Sequence, residues 1–118
     1  MGYVVVKAKI SNVERTKSKE IELIADTGAI YTAIPEDVLS ELGIPPKGKR
    51  KFKIASGEIK EFKIGEAYIE IAGEGVTTVI AFLPKDSKPL LGVTTLELLG
   101  LQVDPITGKL KPMEPLLL

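Results

Sequence analysis

The chain has 118 residues, 44% of them hydrophobic and 27% charged, which suits one globular domain with a core and is too short for two. Sixteen basic side chains cancel sixteen acidic ones, and there is neither Cys nor His. Zinc fingers, thiol nucleophiles and Ser-His-Asp triads are thereby excluded, as is the broad positive field of a nucleic-acid binder.

Any catalysis must run on carboxylates, hydroxyls or lysines, with no metal or cofactor expected. No apolar run approaches the length of a membrane span, and "MGYVVVKAKI" carries neither an export signal nor a myristoylation pattern, since Val6 stands where Ser or Thr is wanted. The expectation is a soluble, cytoplasmic protein with no membrane or nucleic-acid partner. One Asn and one Gln against abundant Lys, Glu, Ile and Pro is a balance reported for heat-adapted proteins.

In chain order, the alternation of Val4, Val6, Ala8 and Ile10 predicts a strand over about 3–10, and that of Ile21, Leu23 and Ala25 with Glu20 and Glu22 predicts another over 20–25. Asp26-Thr27-Gly28 follows at once. Taken alone the triplet is a turn, because Asp and Thr bond to nearby backbone and Gly turns the corner. It is followed, however, by apolar Ala29, Ile30 and Ala33 rather than by polar residues, so a buried carboxylate is expected. A carboxylate drawn inward is costly unless paired or hydrogen-bonded, which marks Asp26 as a candidate functional group.

"IPEDVLSELGI" predicts a short helix, with Pro35 at its first position, Glu36 and Asp37 at the positive end of its dipole and Gly43 as its stop. "KGKRKFK" at 47–53 reads as a solvated edge strand protected by lysines, with a strand over 50–54. Ala55-Ser56-Gly57-Glu58 is a hairpin tip whose glycine permits positive φ. The long strand 59–71 changes parity between Phe62, Ile64 and Ala67, Ile69, Ile71, and one extra residue near Gly65 would repair it as a bulge.

A strand over 76–83 precedes Leu90-Leu91-Gly92 and a second short helix in "VTTLELLGL", with Thr94 or Thr95 as cap, Glu97 completing a capping box and Gly100 as terminator. The Gly92 and Gly100 segments echo Gly28 and Gly43 in the first half, a structural pseudo-repeat. A strand over 101–104 then enters the turn "DPITGK", whose composition makes Asp104 a turn residue rather than a catalytic one. The fold expected from these elements is mainly β, small, closed and twisted, with one or two short helices.

Asp26-Thr27-Gly28-Ala29, Leu90-Leu91-Gly92 with its following helix, the Ala55-Ser56-Gly57 hairpin between them and the closing run Leu99 to Leu110 resemble the retroviral-type aspartic proteases, including their prokaryotic single-domain relatives. The likeness covers nearly the whole chain. It implies a retropepsin-like domain over 1–118, one acid-protease-like lobe per chain, with Asp26 as the catalytic aspartate in a loop shared with Thr27, Gly28 and Ala29. It also implies a hairpin flap near 52–62 that covers a peptide or protein substrate through Ala55, Ser56 and Gly57. Ile30 and Tyr31 stand where the retroviral enzymes carry acidic residues, and the hairpin is poorer in glycine than theirs.

Peptide hydrolysis without metal, thiol or His needs one group to take a proton and another to give one. One chain supplies one suitable aspartate, so the implied enzyme is a homodimer whose twofold axis passes between two Asp26 side chains. The terminal segment 112–118, with three leucines, is the expected addition to that interface. The alternative is a catalytically weak, protease-like module for peptide binding or dimerisation.

Overall fold

The computed structural model describes residues 4–118, so residue 3 of the first predicted strand lies outside the described residues. The elements are β1 (Val4–Ser11), β2 (Ser18–Ala25), β3 (Thr32–Pro35), α1 (Glu36–Glu41), β4 (Gly48–Lys53), β5 (Ile59–Ile71), β6 (Glu74–Leu83), β7 (Leu90–Leu91), α2 (Val93–Leu98), β8 (Leu101–Asp104) and β9 (Lys109–Pro112). Seven strands form one sheet in the order β1-β2-β7-β3-β6-β5-β4, and an additional pairing of β1 with β5 closes it. Closure removes the free edges of β1 and β5 along their shared length. A free edge remains along β4, which hangs outside the ring on the first half of β5, and along β1 ahead of its pairing at Lys9.

Alternation sends one face of each long strand inward. Val6, Ala8 and Ile10 of β1, Leu23 of β2, Ala67, Ile69 and Ile71 of β5, and Ile80 and Phe82 of β6 are buried together with Leu39, Leu91 and Leu96. Each Val, Leu, Ile or Phe side chain among them contributes about 1.5–3 kcal/mol when fully buried, and the alanines less.

No bulge interrupts β5. Its pairing with β6 runs unbroken from Ile64↔Ala81 to Ile71↔Glu74, and its pairing with β4 from Gly48↔Ile64 to Lys53↔Ile59. The parity change has a different cause: before residue 64 the strand lies outside the closed sheet, paired with β4, and there the opposite face is the one partly covered. Phe62 there packs edge-on against Phe52 with ring centroids 5.9 Å apart. Gly65 is required by close approach instead, since a Cβ at that position would lie 2.8 Å from the Pro45 carbonyl oxygen and 3.1 Å from the Phe82 ring.

The helix caps also differ from expectation. Pro35 ends β3 and stands one residue ahead of α1, while Gly43, at φ +70°, follows its end, where Ile44 N–H donates to the Leu39 carbonyl over 2.9 Å. Gly92 precedes α2, with no side-chain cap. Thr95 does other work: its hydroxyl lies 2.7 Å from that of Thr32 and 3.3 Å from that of Thr78, all three residues being buried. The Thr32 oxygen also accepts the Gly92 N–H over 3.0 Å. These hydroxyls join α2, β3 and β6 inside the core, where an unpaired one would cost about 1–3 kcal/mol.

The ribbon of β8 and β9 turns through Asp104, whose Oδ1 accepts the Ile106 N–H over 2.9 Å while Lys111 Nζ stands 3.9 Å from Oδ2. The Ile106 hydrogen bond is the largest cause holding its carboxyl below the usual Asp range, with Lys111 adding to it. After Pro112 the chain has no strand or helix, and Leu116, Leu117 and Leu118 are at least nine-tenths exposed (92%, 91% and 110%).

Two outcomes follow for stability. A Cβ at Gly92 would lie 2.3 Å from the Tyr31 carbonyl carbon, whereas one at Gly48 meets nothing nearer than 3.9 Å. Gly92→Ala is therefore expected to lose at least about 3 kcal/mol in urea unfolding, and Gly48→Ala to stay within about 1 kcal/mol of the parent. An Asp with a lowered folded pKa stabilises fully above its unfolded value and loses that contribution as pH falls through the folded one. Thermal midpoints of the parent and Asp104→Asn should thus differ at neutral pH and converge below about pH 4; a constant gap across that range would show that the charge of Asp104 contributes nothing.

Candidate active site

Asp26 directly follows β2, and the strand that flanks it determines where it points. β7 lies between β2 and β3, parallel to β2 through Ile24↔Leu90 and Ala25↔Leu91 and antiparallel to β3 through Ala33↔Leu90. Ile24 N–H donates to the Pro89 carbonyl and Asp26 N–H to the Leu91 carbonyl, each over 3.0 Å. The loop then turns tightly, because Ala29 N–H returns to the Asp26 carbonyl over 3.0 Å. On the far side Val93 N–H donates to the Ala29 carbonyl (2.8 Å) and Thr94 N–H to the Ile30 carbonyl (3.1 Å). The backbone of residues 26–30 is therefore bonded to β7 and the start of α2.

The carboxylate is oriented from within the same turn. Asp26 Oδ1 accepts the Gly28 N–H over 2.9 Å, and a Cβ on Gly28 would come within 3.3 Å of that oxygen. The absence of a side chain at 28 is thus tied directly to the position of the acid. Burial does not supply the constraint: Asp26 is half-buried while Thr27 and Gly28 are exposed, which corrects the expectation of a buried triplet. The loop lies on the surface of the closed sheet, held by backbone bonds rather than enclosed. Ile30 is also open, at 64% exposure.

The second predicted group lies at the tip of the β4–β5 hairpin, where Ala55, Ser56 and Gly57 are all exposed. Gly57 adopts φ +88°, its N–H donates to the Ile54 carbonyl over 2.8 Å, and Ile54 N–H donates to the Glu58 carbonyl over 2.9 Å. β4 is the sheet edge, as "KGKRKFK" suggested, and only Phe52 within it is partly covered.

Sequence reasoning missed what links hairpin and loop. The Tyr31 ring, five residues beyond Asp26, meets the Phe52 ring edge-on with centroids 5.1 Å apart, and Phe52 meets Phe62 in turn. Arg50 Nη1 donates to the Tyr31 hydroxyl, and its guanidinium carbon stands 5.9 Å from the Tyr31 ring centroid. A signal was available: with Ser56 near the turn, Arg50 falls opposite Phe62 and Phe52 opposite Lys60, so the two phenylalanines are diagonal neighbours on one face.

Chemically the loop offers one carboxylate. Asp104 belongs to the β8–β9 ribbon, engaged with Ile106 and Lys111. Among the described residues no group of three or more His, Cys, Asp and Glu could hold a metal ion, and no helix is long and apolar enough to cross a membrane. A concavity of about 630 Å³ lies elsewhere, lined by residues that include Glu36, Asp37, Ile44, Lys63 and Phe82 and by none of the loop 26–31. The Asp26 loop itself presents an open surface.

The sequence model of the family described as "gag-polyprotein putative aspartyl protease" matches residues 14–98, a span that includes the Asp26 loop, the hairpin and Leu90-Leu91-Gly92. Among curated proteins no match was found. Solved structures with the same fold include the simian foamy virus (mac) protease, 21% identical over 78% of this chain and 90% of that one, with a TM-score of 0.55. The foamy viral protease-reverse transcriptase in complex with an RNA/DNA hybrid is 20% identical with a TM-score of 0.58, over 93% of this chain but 13% of that one. A retropepsin-like aspartic protease from Rickettsia conorii is 21% identical with a TM-score of 0.52, over 88% of this chain and 94% of that one. At such identities the structures establish a common fold, and the family match, across most of the chain and its Asp-Thr-Gly loop, establishes descent: the chain belongs to the retropepsin-like gag-polyprotein aspartyl protease family.

Proposed function

We propose that the chain is an aspartic endopeptidase active as a homodimer, with a water activated between two Asp26 side chains. The observation that carries this reading is the Asp26 turn, bonded to Leu91 and Gly28 and presented on an open surface in a member of an aspartyl protease family. One carboxylate can take a proton or give one at a given moment, but not both. Two of them sharing a proton can do both, as in the known dyads of aspartic proteases.

An isologous dimer brings equal residues to its axis, so a twofold between the Asp26 loops supplies the missing acid. The ionised aspartate takes a proton from the water as the water oxygen attacks the peptide carbonyl carbon, and the protonated aspartate gives its proton to the carbonyl oxygen. The resulting gem-diol collapses, the C–N bond breaks, and the amine leaves with a proton from the dyad. The pair titrates as one unit.

Thr27, exposed beside Asp26, would reach the partner loop, Gly28 would let substrate and partner approach, and Ala29 would keep the loop narrow. Ala55, Ser56 and Gly57 would form the tip of a lid over an extended peptide. The exposed Leu116, Leu117 and Leu118 together with Ile30 supply apolar surface of the kind that subunit interfaces cover.

Purified protein should cleave peptides, and Asp26→Asn should reduce the rate by at least about a thousandfold. Excess Asp26→Asn chains mixed with the parent should inhibit it through mixed dimers; full activity in a demonstrably monomeric preparation would sink the scheme. Burying three leucines per subunit is worth several kcal/mol, so deletion of residues 116–118 should raise the dimer dissociation constant at least about tenfold in sedimentation while leaving circular dichroism unchanged. Equally tight association after truncation would place the interface elsewhere.

A further inference from the structure

We propose that Arg50 is a specificity-determining residue that selects substrates carrying an Asp or Glu side chain beside the scissile bond. The inference rests on the protease reading above and names its substrate class. It starts from a charge imbalance. Residues 47–63 hold seven Lys or Arg against Glu58 and Glu61, in a chain whose total charge is zero.

Most of these cations are on the outer face of the hairpin. In the β4–β5 register, Lys49 lies opposite Lys63, Lys51 opposite Glu61 and Lys53 opposite Ile59, all on the face away from Phe52. The other face, which packs on Tyr31, carries Arg50 and Lys60 with Phe52 and Phe62, and no acid in either paired strand. The ion pairs of the described residues are Lys19–Glu41, Lys47–Glu66 and Lys111–Asp104, so Arg50 has no carboxylate partner among them.

Arg50 is nevertheless held in place. One N–H goes to the Tyr31 hydroxyl and the guanidinium stands near the same ring, while the rest of its five-donor fork stays free to bind. Tyr31 in turn is fixed by the close passage of Gly92 beneath its backbone and by the bond from Thr94 to the Ile30 carbonyl. A planar cation so preorganised, between the Asp26 loop and the hairpin, matches a carboxylate bidentately and loses little freedom on binding. The selection proposed is local to the Arg50–Tyr31 contact, in a chain whose total charge is zero.

The test uses end-blocked peptides, identical except for Glu or Gln scanned through the positions flanking the cleaved bond. Parent enzyme should favour Glu at one position by at least about tenfold in kcat/KM, and Arg50→Gln should bring that ratio to within about twofold of unity. Arg50→Glu should invert it and favour Gln over Glu there. Lys49→Gln, on the opposite face, should keep the preference. Equal cleavage of Glu and Gln peptides at every position by active parent enzyme overturns the proposal, as does a loss in Lys49→Gln as large as in Arg50→Gln. If the parent cleaves no peptide, the protease reading fails separately, and fluorescence anisotropy of the same Glu and Gln peptides decides for or against Arg50 recognition on binding alone.

Discussion

The hydrogen bond from the Asp26 amide to the Leu91 carbonyl is the contact on which the site depends. It exists because a two-residue strand, β7, is wedged between β2 and β3, and because Gly92 then passes so close to Tyr31 and Thr32 that no side chain could stand there. The same passage aims the Val93 and Thr94 amides at the Ala29 and Ile30 carbonyls. Thr32, buried next to this crossing, takes the Gly92 amide on its hydroxyl and leans on Thr95 behind it. A loop without its own hydrophobic anchor is thereby fixed from three sides by backbone and buried hydroxyls, which hold direction better than apolar packing does.

From that anchor the rest of the architecture divides the labour. The ring of strands closed by β1 on β5 supplies most of the buried apolar core, with Leu39, Leu42, Ile44 and Leu96 packed onto it. The hairpin that extends β5 beyond the ring contributes little to that core and has a separate, small aromatic cluster of its own with Tyr31. The β8–β9 ribbon and the leucine-rich end after it lie outside the main sheet. What the closed sheet does not cover in one chain, the open Asp26 loop and the terminal leucines, is what an isologous partner would cover under the proposed function.

How far the sequence discloses this depends on the length scale of each feature. Strands β1, β2, β5 and β6 were legible because one face of each is covered over many residues, which imprints a period of two. β3 was not, since Thr32 to Pro35 are buried throughout, and β7, too short for any period, was legible only through the family resemblance of Leu90-Leu91-Gly92. The parity change in β5 was visible but its meaning was not, since a bulge and a change of covered face leave the same trace in the residues. Thr95 reads as a cap by position and acts as a core hydroxyl because Thr32 and Thr78, distant in sequence, converge on it. The Asp-Thr-Gly triplet was legible as a functional candidate, while its exposure was not, because burial of a loop is decided by what lies above it.

The chain of rings from Tyr31 through Phe52 to Phe62 has a mechanical consequence for the hairpin. Were the hairpin to swing relative to the Asp26 loop, Phe52 would be its pivot, and the arm beyond it is only the few residues from Lys53 to Ile59. At roughly 3.3 Å per residue such an arm reaches about 10 Å from its pivot. A lever that short sweeps over about three residues of an extended strand, so under the proposed function its grip is confined to the immediate neighbours of the reacting bond and the remainder of a long polypeptide lies beyond its reach.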